Sequence, residues 1–187
     1  MAELCREGLV RHVGLSNPSA EQLERAVRVH PISAVQTEWS MWTPVEPDLL
    51  EVANRHGIGI VAWSPLGAGL LTGELTRLEA GDRRSTFPRH TGPNLALNND
   101  RFAPLREMAE AFGITPSTLA LAWLLHQHPH VVPIPGSTNP AHISANIAAA
   151  LVALDPEALG RIDDARGRSR PEGATILSTS QRSSEPR

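Results

Sequence analysis

Four short apolar runs punctuate the chain, and each ends in small or polar residues: VRHVGLSN (residues 10–17), SAVQTEWS (33–40), VAWSPLGAGLLTG (61–73) and VVPIPGS (131–137). Segments of helical period separate them. Ser19-Ala-Glu-Gln22 matches a capping box, and Leu23, Ala26 and Val27 give the helix it opens an apolar face. Residues 48–56 predict a second helix, stopped by Gly57. The continuous apolar run 58–63 suits a buried parallel strand, although periodicity alone does not separate it from a helix. Helices are predicted over 101–112, over 117–126 after the Thr115-Pro116 cap, over 140–150, and over 156–165 after Asp155. Between 73 and 100 the chain is rich in Gly, Arg, Asn and Pro without a period, which predicts a long loop.

Strand–helix alternation implies a parallel sheet with right-handed crossovers. Four such units make half of an eightfold barrel or an open four-stranded sheet. A half-barrel on its own would expose two strand edges and one sheet face, which invites self-association through those edges. Residues 1–166 form the expected folded body. Residues 167–187 are a polar tail with little to bury, expected to be mobile.

Composition narrows the function classes. A formal net charge of -3 gives no electrostatic case for nucleic acid or an anionic membrane as partner. Cys5 has no second cysteine to pair with, no apolar run reaches the roughly 20 residues of a membrane span, and the first residues lack a signal core. A cytoplasmic location is the expectation. The chain contains no tyrosine, and all 17 of its Lys-plus-Arg residues are arginine, so neither Tyr nor Lys is present for acid–base work.

The candidate chemistry sits at the ends of the apolar runs. Ser16, Asn17, Gln36 and Glu38 form a polar group whose donors and acceptors suit a carboxamide. Trp63 offers a flat face for an aromatic ring, with packing as the competing reading. The Ser64–Gly69 turn allows close backbone approach to a phosphate, and residues 135–139 lead into a helix start suited to an anion. His126, His128 and His130 fall at the opposite end of the sheet and are not read as a metal site. Asp163 and Asp164, being adjacent, diverge on a helix. Arg83, Arg84 and Arg89 form a basic cluster that could attract a phosphate from the loop, with solvated loop residues as the preferred reading.

Taken together, VRHVGLSNPSAEQL, AVQTEWS, GIVAWSPLGAGLLTG and VPIPGSTNPAHISANI resemble the C-terminal half of an aldo-keto reductase, over about residues 3–165. The resemblance implies a (β/α)8 TIM barrel of which this chain covers about the second half, units five to eight, as four parallel strands with helices. It implies hydride transfer from NADP(H), or NAD(H), to aldehydes and ketones. Ser16, Asn17 and Gln36 match the nicotinamide-carboxamide ligands, and Trp63 matches the ring that stacks on the nicotinamide. Ser64, Leu66 and Gly67 match the pyrophosphate turn, and Gly136, Ser137, His142 and Asn146 match the adenosine-phosphate segment. Gly136, His142 and Ala145 replace a frequent Lys, Arg and Glu, which weakens the preference for NADP. The family's catalytic Asp, Tyr, Lys and His lie on the first four units, so no catalytic residue is expected here. A small-molecule carbonyl substrate is expected only if the missing half is supplied, whether the chain comes from a truncated gene, a late start or a split enzyme. The alternative readings are a non-catalytic cofactor-binding or protein-interaction module, and an inactive remnant.

Overall fold

The computed structural model describes residues 1–174. Its four strands, β1 (Gly14–Ser16), β2 (Ala34–Glu38), β3 (Gly59–Trp63) and β4 (Val131–Pro133), form one sheet in sequential order, every pair parallel. Consecutive parallel strands require crossovers, and helices supply them. α1 (Ala2–Arg6) precedes β1, α2 (Ala20–Val27) joins β1 to β2, and α3 (Pro47–His56) joins β2 to β3. α4 (Asn94–Ala111) and α5 (Pro116–Leu125) lie between β3 and β4, and α6 (Pro140–Ala148) and α7 (Pro156–Arg168) follow β4.

The caps form as the sequence dictates. Ser19 and Gln22 make both bonds of the capping box, Thr115 and Asp155 accept from the N–H three residues on, and Gly57 closes α3 at φ 64°.

One face of the sheet is covered. Val35, Ile60, Ala62 and Val131 are buried beneath the helices, with Leu23, Val52, Leu119 and Trp123 among the packed residues. The opposite face is bare. Ser16, Gln36, Val61 and Val132 stand in register across all four strands, and Ser16, Gln36 and Val132 are exposed. Parallel sheets ordinarily bury both faces.

The expected loop over 73–100 is more ordered than its composition suggests. It contains 3-10 turns at Arg83–Thr86 and Pro88–His90, and α4 begins at Asn94 rather than near 101. The early turns of α4 lack an apolar stripe because Asn98, fully buried, faces inward. Its amide donates to the Arg89 and Glu172 carbonyls and its oxygen accepts from the Glu172 N–H. The polar segment after 167 begins inside α7, and its residues up to Ala174 are held by this contact and by Arg89, whose N–H and Nε donate to the Ala174 and Gly173 carbonyls. The rest of the expected mobile tail lies outside the described residues. Among the described residues, no single helix is long and apolar enough to cross a membrane.

Candidate functional site

β1, β2 and β3 end side by side, and their last residues are tied together. The Asn17 N–H donates to the Gln36 carbonyl at 2.7 Å, its Nδ2 donates to Ser16 Oγ at 3.1 Å, and its Oδ1 accepts from Trp63 Nε1 at 2.9 Å. Glu38 pairs in register with Trp63, beyond Gln36 on the same strand. Close by, burial pushes the Arg89 guanidinium down to about 10, an effect the nearby Glu38 charge partly offsets.

β3 then enters a tight turn. Ser64 Oγ accepts from the Ala68 N–H, and the Gly67 N–H returns to the Ser64 carbonyl. The φ angles of Ser64, Gly67, Ala68 and Gly69 are all positive. Among the described residues, the non-glycine residues at positive φ are Asn17 and Ser64, each just past a strand end, and Ala68 in the turn after β3. Strain of this kind tends to collect at binding sites.

A cleft of about 520 Å³ opens beside the turn. Ser64, Leu66, Ala68 and Gly69 form one wall, and Gly136, Ser137, His142 and Asn146 form another. His142 and Asn146 are one helical turn apart on α6 and so share a face. Asn139 caps α6 by accepting from Ala141 N–H, while Ser137 Oγ accepts from Asn139 N–H. Gly67 is buried behind the turn rather than exposed in the cleft.

Two loop arginines depart from the solvated positions the sequence suggested. Arg84 lines the cleft: Asp82 grips its guanidinium through both carboxylate oxygens, and Nη1 donates to the Ala68 carbonyl. That grip holds the Asp82 carboxyl down at about 2. Arg89 is buried, donating to Thr43 Oγ1 and the Trp42 carbonyl. Neither placement was visible locally, since the carbonyls these side chains reach lie far away in sequence.

The histidines of residues 126–130 serve structural contacts. His128 Nε2 meets Asn54 Oδ1 at 2.6 Å, and His126 Nδ1 meets the Ala122 carbonyl at 2.8 Å. Trp123 packs in the core and donates to Asp163.

The sequence model of the Aldo/keto reductase family matches residues 1–166. The chain belongs to the aldo/keto reductase family. Solved aldo/keto reductases resemble it in three dimensions. The glycerol dehydrogenase AKR11B4 from Gluconobacter oxydans superposes with a TM-score of 0.81 at 28% identity, covering 92% of this chain and 54% of its own. An aldo-keto reductase from Klebsiella pneumoniae, in complex with NADPH, gives 0.66 at 28% identity, covering 92% and 53%. A thermostable aldo-keto reductase bound to the inhibitor epalrestat gives 0.64 at 28%, covering 88% and 52%. The chain therefore spans about half the length of the aldo/keto reductases it matches.

Proposed function

We propose that this chain is the cofactor-binding half of an aldo-keto reductase barrel, units five to eight of eight, within an NAD(P)H-dependent oxidoreductase acting on aldehydes or ketones. The sequential parallel sheet with one bare face supports the half-barrel reading, as does the match to half of each relative. The observation that carries the cofactor assignment is continuity. A cluster of amide and hydroxyl groups at the ends of β1 and β2 leads past Trp63 directly into the cleft bounded by Ser64 and Asn146. A dinucleotide needs that sequence of contacts, a carboxamide partner at one end and phosphate partners further along.

The residues fit such a ligand. A Cβ at Gly69 would stand 2.9 Å from Arg84 Nη1, so the backbone there stays bare beside a fixed guanidinium. Bare backbone suits a pyrophosphate, and Arg84 lines the same cleft with its guanidinium held by Asp82 and the Ala68 carbonyl. Ser16, Asn17 and Gln36 would hold the carboxamide, and Trp63 would stack on the ring, its edge already anchored to Asn17. Ser64, Leu66 and Gly67 shape the pyrophosphate turn, assisted by Arg84. Gly136, Ser137, His142 and Asn146 would receive the adenosine end. Bound NAD(P)H would supply the hydride. The relative solved with NADPH supports NADP(H), with NAD(H) as the alternative because the adenosine segment offers no arginine or lysine. This chain has no tyrosine or lysine, so we read it as lacking the catalytic tetrad and as unable to reduce a carbonyl without residues from elsewhere.

Titrating NADPH while following tryptophan fluorescence tests the site. Saturable quenching that is lost in Trp63→Leu is expected, and an unchanged signal in the wild-type chain overturns the assignment. Sustained NADPH oxidation by the chain with 4-nitrobenzaldehyde would overturn the tetrad reading.

A further inference from the structure

We infer that the bare sheet face is covered in solution by a second copy of this chain. A twofold axis along the strands sets each β4 beside the other copy's β1, and the two sheets close into one eight-stranded barrel. This rests on the half-barrel reading proposed above and concerns the 187-residue chain by itself; the first four units of a barrel, where present, would take the second copy's place.

The strand order sets the geometry. With four parallel strands in sequential order, the free edges are β1 and β4. A twofold axis parallel to the strands brings unlike edges together at both seams and leaves none open. The chain matches 54% of a relative's length, so two copies supply the strand number of one such barrel.

The backbone groups at the two edges are complementary. Ile134 N–H donates to the Ala62 carbonyl and Ile60 N–H donates to the His130 carbonyl, so Val131 and Pro133 of β4 turn outward. Proline has no N–H, and this edge therefore accepts more than it donates. On β1, the Val13 carbonyl and the Asn17 N–H bond toward β2, so Gly14 and Ser16 turn outward with their donors intact. Two β4 edges pairing with each other would be short of donors, whereas β4 against β1 matches acceptors to donors.

Apolar exposure concentrates at the same seam. Val132 is 57% exposed on the bare face, Ile143 (42%) and Ile147 (68%) are exposed on α6 in a groove shared with Pro133, and Leu151 (87%) follows α6. A groove of about 400 Å³ runs between α5 and α6 beside Pro133. Apolar surface this concentrated marks an interaction site. The bare face also carries Ser16 and Gln36, so the partner copy would wall off the carboxamide end of the candidate site.

Light scattering on the purified full chain, with amide hydrogen exchange, tests the inference. Expected is twice the 20.2 kDa chain mass, with the Gly14 and Ser16 amides protected. Ile147→Glu/Leu151→Glu, both at exposed positions, should weaken association by about tenfold or more and release those amides while circular dichroism stays unchanged. A monomer, a larger assembly, or a dimer with fast-exchanging Gly14 and Ser16 amides overturns the twofold barrel. NADPH quenching separates the two readings: a monomer that is still quenched overturns the dimer alone, and absence of quenching in any form overturns the site.

Discussion

The indole of Trp63 reaches across β2 to donate to Asn17 Oδ1, joining the ends of two strands that are not neighbours in the sheet. Asn17 accepts that bond from a left-handed conformation, φ 48°. Asparagine tolerates this region better than most residues. Sequence, backbone strain and side-chain contact therefore meet in one residue. Asn17→Ala should weaken NADPH binding by about tenfold, because it removes the bond that orients the ring and adds backbone strain. Asn17→Gly relieves the strain alone and should recover stability without recovering affinity. Fluorescence titration and thermal melts of both variants check this.

Arg84 is held for the cleft by Asp82. Arg84→Gln should lower NADPH affinity by about tenfold and flatten its salt dependence, and should also lower the melting temperature by removing the Asp82 pair. The Asp82 carboxyl sits at about 2, below its ordinary 3.8, because Arg84 bonds its charged form. The stabilisation is complete above about 3.8 and is lost as pH falls from there toward 2. Acid titration of Asp82→Asn should lack that step.

His90 is buried, and burial pushes its imidazole below the ordinary 6.5. Its folded form resists a proton that the unfolded chain accepts. Its contribution to stability is therefore present above 6.5 and declines as pH falls through that value toward the lower folded pKa. Urea midpoints between pH 8 and pH 5 should fall for the wild type and fall less for His90→Gln.

Arg89 satisfies the Trp42 and Gly173 carbonyls and the Thr43 hydroxyl from a nearly buried position. Arg89→Met leaves these acceptors without their donor and should cost about 3 kcal/mol, read from urea denaturation.

Ser19→Ala removes one arm of the capping box and should cost about 1 kcal/mol without touching cofactor binding. This pair of outcomes separates scaffold from site.

The caps, the strand ends and the turn at Ser64 were legible because their determinants are local. A serine three residues before a glutamine, or Ser-Pro-Leu-Gly after an apolar run, carries its own geometry. Ser16, Asn17, Gln36 and Trp63 could be grouped because parallel strands of known order end together. The start of α4, the contacts that fix Arg84 and the burial of Arg89 were not legible. Asn98 looks like a loop residue until Glu172, 74 positions later, meets its amide. Arg89 looks solvated until Gly173 arrives 84 positions on. Buried polar residues defeat pattern reading because their partners, rather than their own polarity, decide where they lie.

The clasp between Arg89, Asn98 and residues 172–174 stitches the end of the described chain to the loop that carries Arg84. Trimming the polypeptide back to Arg168 would sever that stitch and slacken one wall of the cleft. Where an engineer chooses to cut this protein therefore governs how firmly it grips a nucleotide, even though every cut lies far from the strand ends in sequence.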